Sequence, residues 1–266
     1  MVKFTCAILH KQTPERQTAL LQMLDALDIE ERKGQIVGRI FADPKPEGMA
    51  WAEFKTHLAQ QQWEWALQQG SDFTHHVFLT DDLHVHPLFW DVLAAIVEGS
   101  KAKAIGLLSN HPRGPELYRQ GLHAYRCNSW LVGPAYVVTS DFLAEALTKY
   151  RALPETGEKS RQWFNDDSWL NECVTFGGPG ASWHPLPTII EHRFDVESTV
   201  GHGDCHSRER VSWREERKVV DDGENGFQWA SKPLYVGEHE NERLEELMCR
   251  PEFWSGEAPM LQVGGE

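Results

Sequence analysis

Long apolar runs are missing from this chain. No stretch approaches the roughly 20 consecutive apolar residues that a membrane helix needs, and the opening segment MVKFTCAILH reaches charged residues before a signal-peptide core could form. The expectation is a cytoplasmic protein without membrane insertion. Cysteine is sparse: Cys6, Cys127, Cys173, Cys205 and Cys249 are odd in number and too widely spaced for zinc pairs or a disulfide scaffold, so they read as reduced and mostly structural. HExxH, GxSxG and GxxxxGK(S/T) patterns are absent as well, which argues against the corresponding metalloproteases, hydrolases and P-loop enzymes. The Gly177-Gly178-Pro179-Gly180 run lacks the phosphate-loop order and reads as a turn.

Basic charge is in deficit. Against 26 Lys and Arg stand 40 Asp and Glu, a formal net charge of −14 over 266 residues, which argues against broad charge-driven binding to nucleic acid. With 41% hydrophobic and 11% aromatic residues the chain is nevertheless a folding one, sized for one large domain or for one domain with an appendage.

Strand and helix patterns alternate along it. Phe4 to Leu9 is a strand, followed by a polar loop and a helix carrying Leu20, Leu21, Leu24 and Leu27 at helical spacing. Gln35 to Phe41 is a second strand, ending in the turn-rich Asp43-Pro44-Lys45-Pro46-Glu47-Gly48, and Met49 to Gln69 is helical with Trp51, Phe54, Leu58, Trp63 and Leu67 on one apolar stripe. His75 to Leu79 is a buried-type strand that breaks at Thr80-Asp81-Asp82 before a helix opened by Pro87. Ala104 to Leu108 and Trp130 to Thr139 are further strands, and a helix follows Ser140. This order predicts an α/β fold with a mostly parallel sheet flanked by helices. Residues 1–205 form the expected main domain. Residues 206–266 form an acidic extension that carries −6 of the net charge, yet its Trp213, Phe227, Trp229, Tyr235, Phe253 and Trp254 predict packing against the main domain.

Two segments carry chemistry. A buried strand ending in Asp81 and Asp82 places hard oxygen ligands at the carboxyl edge of a sheet, where open α/β folds bind ligands, and His84 falls two residues beyond Asp82. The segment reads either as a cation and diphosphate site or as a solvated turn capping the next helix. The second segment runs from Pro187 through His192 to Ser198, an apolar run ending in a histidine and a polar loop.

With these segments the sequence resembles the GT-A class of nucleotide-sugar glycosyltransferases, including bacterial and viral members and the family of lipooligosaccharide and collagen galactosyltransferases. Thr80-Asp81-Asp82 with His84 matches the acidic strand-end element, and Pro187 to Ser198 the later element that supplies a metal-binding histidine. Ser129 to Thr139 is similar to the strand lining the donor and acceptor cleft, and Asn165-Asp166-Asp167-Ser168-Trp169-Leu170 to the acidic element near the acceptor. The resemblance covers roughly residues 1–202. It departs at Thr80, where many members are acidic, at Glu191 in place of Gln, and at Arg193 and Phe194.

The resemblance implies a GT-A-like fold and a metal-dependent transfer of sugar from a nucleoside diphosphate donor, UDP-linked by analogy, to a hydroxyl acceptor. It implies Mn²⁺ or Mg²⁺ held by Asp82 and His192, with Asp81 or His84 completing the site. Thr13, Arg16, Asp43 and Asp81 are its donor-binding candidates, although Thr13, Arg16 and Asp43 read equally as turn and capping residues. Asp167 is the expected proton acceptor, with Asp166 as helix cap or support. The acceptor is a glycan, a lipid-linked sugar, a protein or a modified base in viral DNA. The alternative is a catalytically inactive nucleotide-sugar or carbohydrate-binding module, with a nucleotidyltransferase third.

Overall fold

The computed structural model describes residues 2–32, 34–49, 51–108, 111, 113–128, 134–157, 160–161, 166–177, 180–193, 196, 219–221, 228–230 and 238–261. At 51, 52, 166, 167, 176, 177, 219–221, 228–230 and 238–242 it describes the backbone alone. The chain opens with β1 (Phe4–Leu9) and α1 (Pro14–Leu27), joined by a turn in which Thr13 caps the helix, its hydroxyl accepting from the Arg16 N–H at 3.3 Å, with Pro14 in the first turn. Then come β2 (Ile36–Phe41), α2 (Trp51–Leu67), β3 (His75–Thr80), β4 (Leu83–Val85), α3 (Phe89–Ser100), β5 (Ala104–Gly106), α4 (Gly114–Arg119), β6 (Ala124–Cys127), β7 (Ala135–Thr139) and α5 (Ser140–Arg151). They are followed by α6 (Asp166–Glu172) with a π-helical turn (Cys173–Gly177), β8 (Ser182–Pro185), β9 (Ile190–His192), β10 (Val219–Asp221), β11 (Gln228–Ala230), α7 (Glu238–Met248), α8 (Pro251–Trp254) and β12 (Met260–Leu261).

Eight strands form one sheet in the order β12-β6-β8-β5-β7-β3-β1-β2, while β10-β11 and β4-β9 are separate two-stranded ribbons. The pairs β1–β2, β1–β3, β5–β8 and β6–β12 are parallel, and β3–β7, β5–β7 and β6–β8 antiparallel. Parallel contacts therefore outnumber antiparallel ones, as the alternation of strands and helices predicts, with β7 inserted against the direction of its neighbours.

Strand alternation divides the core into two layers. Phe4, Cys6 and Ile8 of β1 and Val77 and Leu79 of β3 face α1 and α3, whereas Ala7 and Phe78 face α2, α5 and α6. Each large side chain so buried contributes about 1.5–3 kcal/mol. The polar tips find partners: the Trp63 indole N–H donates to the Tyr136 hydroxyl at 3.1 Å.

α3 is buried on most of its surface, through Phe89, Trp90, Val92, Leu93, Ala95, Ile96 and Val97, because α8 covers the side the sheet does not. In α8, Trp254 is 1% exposed, donates its indole N–H to the Met248 carbonyl at 2.7 Å and meets Trp183 edge-on at 5.9 Å. Phe253 stacks on His123 at 3.9 Å, and β12 extends the sheet beside β6. Among the described residues no helix is long and apolar enough to cross a membrane.

Candidate active site

The parallel register of β1 with β3 pairs Leu9 with Thr80, so the residues that follow, His10 and Asp81, leave the sheet side by side. The Asp81 N–H donates to the Leu9 carbonyl at 3.0 Å, which turns its carboxylate back over the end of β1. There Asp81 Oδ2 accepts from His10 Nδ1–H at 2.6 Å and from the Lys11 backbone N–H at 2.8 Å, and Oδ1 accepts from the Arg16 guanidinium. Arg16 reaches inward from the first turn of α1, is 3% exposed, and also contacts Asp82 Oδ2 at 2.9 Å.

Asp82 is organised by the β4–β9 ribbon. Leu83 and Val85 of β4 are buried and pair with His192 and Ile190, and the Arg193 N–H donates to the Asp82 carbonyl at 2.9 Å. His192, distant in sequence, thereby arrives with Nε2–H donating to Asp82 Oδ2 at 3.2 Å, while its Nδ1–H donates to the Arg193 carbonyl at 3.0 Å. The Thr80 hydroxyl donates to Asp82 Oδ1 at 2.5 Å. Burial opposes ionisation of Asp82, but the hydrogen bond and charge of His192, the charge of Arg16 and the Thr80 hydroxyl outweigh it and hold the carboxyl well below the usual carboxylate range. Burial likewise disfavours a charged His192, yet the bond and charge of Asp82 carry its pKa above the ordinary histidine value.

Asp82 and His192 thus meet as expected, and Asp81 lies beside them. His84 does not join them. Opposed residues of an antiparallel pair share a face, so His192 sits with Leu83 and His84 with Glu191 on the other side of the ribbon. The spacing of His84 from Asp82 placed both on one side only if the extended backbone began at Asp82, and it begins at Leu83. Among the described residues no three His, Cys, Asp or Glu side chains gather into a group able to hold a metal ion. With the Arg16 guanidinium lying between the two carboxylates, these residues do not fit a divalent cation as they stand.

Beside the cluster a groove of about 530 Å³ is lined by His10, Gln12, Thr13, Pro14, Gln17, Leu20, Ile40 and Ala42. Thr13 therefore serves as both helix cap and groove wall, and Gln12 ties the β1–α1 turn to β2 by donating to the Ala42 carbonyl. Ile40 is 40% exposed and gives the groove an apolar wall. Asp43 is exposed one residue beyond Ala42, whereas Arg16 points into the protein, to the carboxylates. Asp166 and Asp167 open α6, which agrees with a helix start at this element, but their side chains lie outside the described residues, as do residues 129–133, 194, 195, 197 and 198 of the other two elements.

His10 and Gln17 belong to this site without having been singled out by the sequence. His10 presents Nε2 to Gln17 Oε1 at 3.1 Å while Nδ1 holds Asp81. A signal existed in the parallel alignment of two strands that are followed by His10 and Asp81, but it requires the register, which the sequence does not state. Asp81 is also more constrained than a donor-binding residue need be, since both of its oxygens are bonded within the protein.

No protein-family model matches the sequence, and no curated protein matches it. Among solved structures the chain is similar to a glycosyltransferase involved in the glycosylation of the major capsid of PBCV-1, with 11% identity and a TM-score of 0.33 over 66% of this chain and 75% of that one. It is also similar to S. aureus TarS 1–349, with 11% identity and a TM-score of 0.39 over 70% of this chain and 58% of that one. For TarS 1–349 in complex with UDP-GlcNAc the values are 10%, 0.38, 70% and 56%. Likenesses this distant carry no weight for the chemistry of this chain, which is read from the geometry above.

Proposed function

We propose that this chain is a glycosyltransferase that moves a sugar from a nucleoside diphosphate donor, UDP-linked, to the hydroxyl of a glycan or of a hydroxylated base in DNA. The observation that supports this reading is the convergence, at the carboxyl edge of the parallel strands, of three separated segments on one buried cluster: His10 and Arg16, Asp81 and Asp82, and His192. A groove large enough for a nucleoside opens directly beside it.

Each part has a task in such a reaction. The groove receives the base and ribose, with Ile40 as an apolar wall and Gln12, Thr13 and Gln17 as hydrogen-bonding groups. Asp81 fixes the β1–α1 turn that forms this wall. Asp82 and the Arg193 carbonyl hold both N–H groups of His192, whose positive charge offsets the negative charge that develops as the sugar departs. Asp167, at the start of α6, accepts the proton of the incoming hydroxyl, and Asp166 supports the helix end.

The test is a panel of nucleotide sugars with release of nucleoside diphosphate as the readout, with and without glycan and hydroxylated-DNA acceptors. Slow release without acceptor, accelerated by one acceptor class, is the expected outcome. Binding without any release would favour the carbohydrate-binding alternative, and indifference to every donor would remove the reading altogether. Asp167→Asn should cost about 10²- to 10⁴-fold in turnover while leaving donor binding intact; unchanged turnover there and in Asp166→Asn would take both residues out of the mechanism.

A further inference from the structure

We propose that Arg16 is a tethered cation: its guanidinium holds the place between Asp81 and Asp82 that a divalent ion would otherwise take, and the acidic turn works charge-balanced without metal. The effect on donor binding rests on the function proposed above; the occupancy itself does not.

The hydrogen bonds of the two carboxylates carry this inference. Asp81 Oδ1 is engaged by Arg16, and Oδ2 by His10 and the Lys11 N–H. Asp82 Oδ1 is engaged by Thr80, and Oδ2 by Arg16 at 2.9 Å and His192 at 3.2 Å. All four oxygens therefore have at least one donor from the protein, and a cation bridging the two carboxylates would meet the Arg16 guanidinium. Arg16 contacts both carboxylates. It is buried, and its backbone is pinned by the Thr13 cap, so the charge is delivered by the fold rather than drawn from solution. A guanidinium stays protonated at every working pH and its planar fork suits two acceptors at once, so no change of pH empties the position. Removing it would leave two adjacent buried carboxylates beside an imidazole, a donor set that suits Mn²⁺.

The occupancy is tested with Mn²⁺ alone, followed by electron paramagnetic resonance, on the wild-type chain, Arg16→Ala and Arg16→Lys. The wild type and Arg16→Lys, which keeps a charge there, should show no stoichiometric Mn²⁺ binding, while Arg16→Ala should gain one site with affinity at least ~10-fold tighter. Stoichiometric binding to the wild type, or a folded Arg16→Ala that gains none, would overturn the proposal.

Should Arg16→Ala fail to fold, the wild type still decides. Donor-dependent thermal stabilisation should be the same in EDTA as in Mn²⁺, and stabilisation confined to Mn²⁺ would overturn the proposal while leaving the glycosyltransferase reading in place. A chain that ignores every nucleotide sugar, yet gains the Mn²⁺ site on loss of Arg16, would retain the tethered cation and lose the glycosyltransferase reading.

Discussion

At the carboxyl edge of the central sheet β1 and β3 run out into His10, Asp81 and Asp82, whereas near the amino edge of the same two strands His76 is buried between two hydroxyls. Its Nδ1 lies 2.9 Å from Thr5 Oγ1 and its Nε2 2.9 Å from Ser140 Oγ. Burial, with the neighbouring His75, pushes the His76 pKa down to about 4, while His192 at the other edge is also buried and is raised. The difference lies in the partner. Hydroxyls satisfy a neutral ring without compensating a charge, but the Asp82 carboxylate repays the desolvation of an imidazolium. One edge of the sheet is thus built around neutral hydrogen bonds and the other around a buried ionic network.

The strongest way to break this contrast is Asp82→Ala, which leaves Arg16 and His192 facing each other without their shared carboxylate. A loss of about 3–5 kcal/mol in urea unfolding is expected, together with loss of donor binding. A stability change within ~0.5 kcal/mol, the size usual for surface positions, would show that the network is not ionic in the way described.

Next in size is the pH dependence, which separates the two edges by sign. His75 and His76, which begin β3, have pKa values lowered to about 4 from 6.5, so the unfolded chain binds more protons than the folded one between these values. Stability should therefore fall as pH drops from 6.5 toward 4, by on the order of 1–3 kcal/mol for the buried His76 and by less for the half-buried His75, which solvent screens. His192, raised above 6.5, acts oppositely, and its contribution is present below 6.5 and lost as pH rises through its folded value. Urea unfolding across pH should show His76→Gln flattening the acid limb and His192→Gln the alkaline one; an exchange of these effects would contradict the assignment.

A smaller effect is expected at the turn that presents Arg16. Thr13→Ala removes the α1 cap and should cost about 0.5–2 kcal/mol in chemical unfolding and weaken donor binding, whereas an isolated loss of stability would separate the cap from the groove. The smallest belongs to Asp141, whose pKa is held at about 2 by the Lys103 ammonium and the Thr139 hydroxyl on an exposed surface. Asp141→Asn should shift the melting temperature by less than ~2 °C, since solvent screens that pair.

The sequence showed the part of this arrangement that repeats with a period. The runs Phe4 to Leu9 and His75 to Leu79 and the stripe from Leu20 to Leu27 coincide closely with β1, β3 and α1, because buried strands and amphipathic helices of this length leave a pattern. Residues 83–85, 182–185 and 190–192 are strands too short to show alternation, so the ribbon that carries His192 to Asp82 was invisible, and with it the side on which His84 falls. Asp82 and His192 were legible together only through the resemblance. The tie of Arg16 to both carboxylates, and of His10 to Asp81, depends on parallel register and on a helix turning its first residues inward, neither of which is local in sequence. Trp254 marked its segment as core-forming by size and apolarity alone, and it is buried against α3.

The most direct measurement of the central claim is a calorimetric titration of nucleoside diphosphate sugars into the wild-type chain, Asp82→Asn and Asp141→Asn. The expected result is that at least one donor binds the wild type and Asp141→Asn alike and binds Asp82→Asn at least ~10-fold more weakly. Binding by none of the three, or equal binding by all of them, would contradict a donor site at the carboxyl edge.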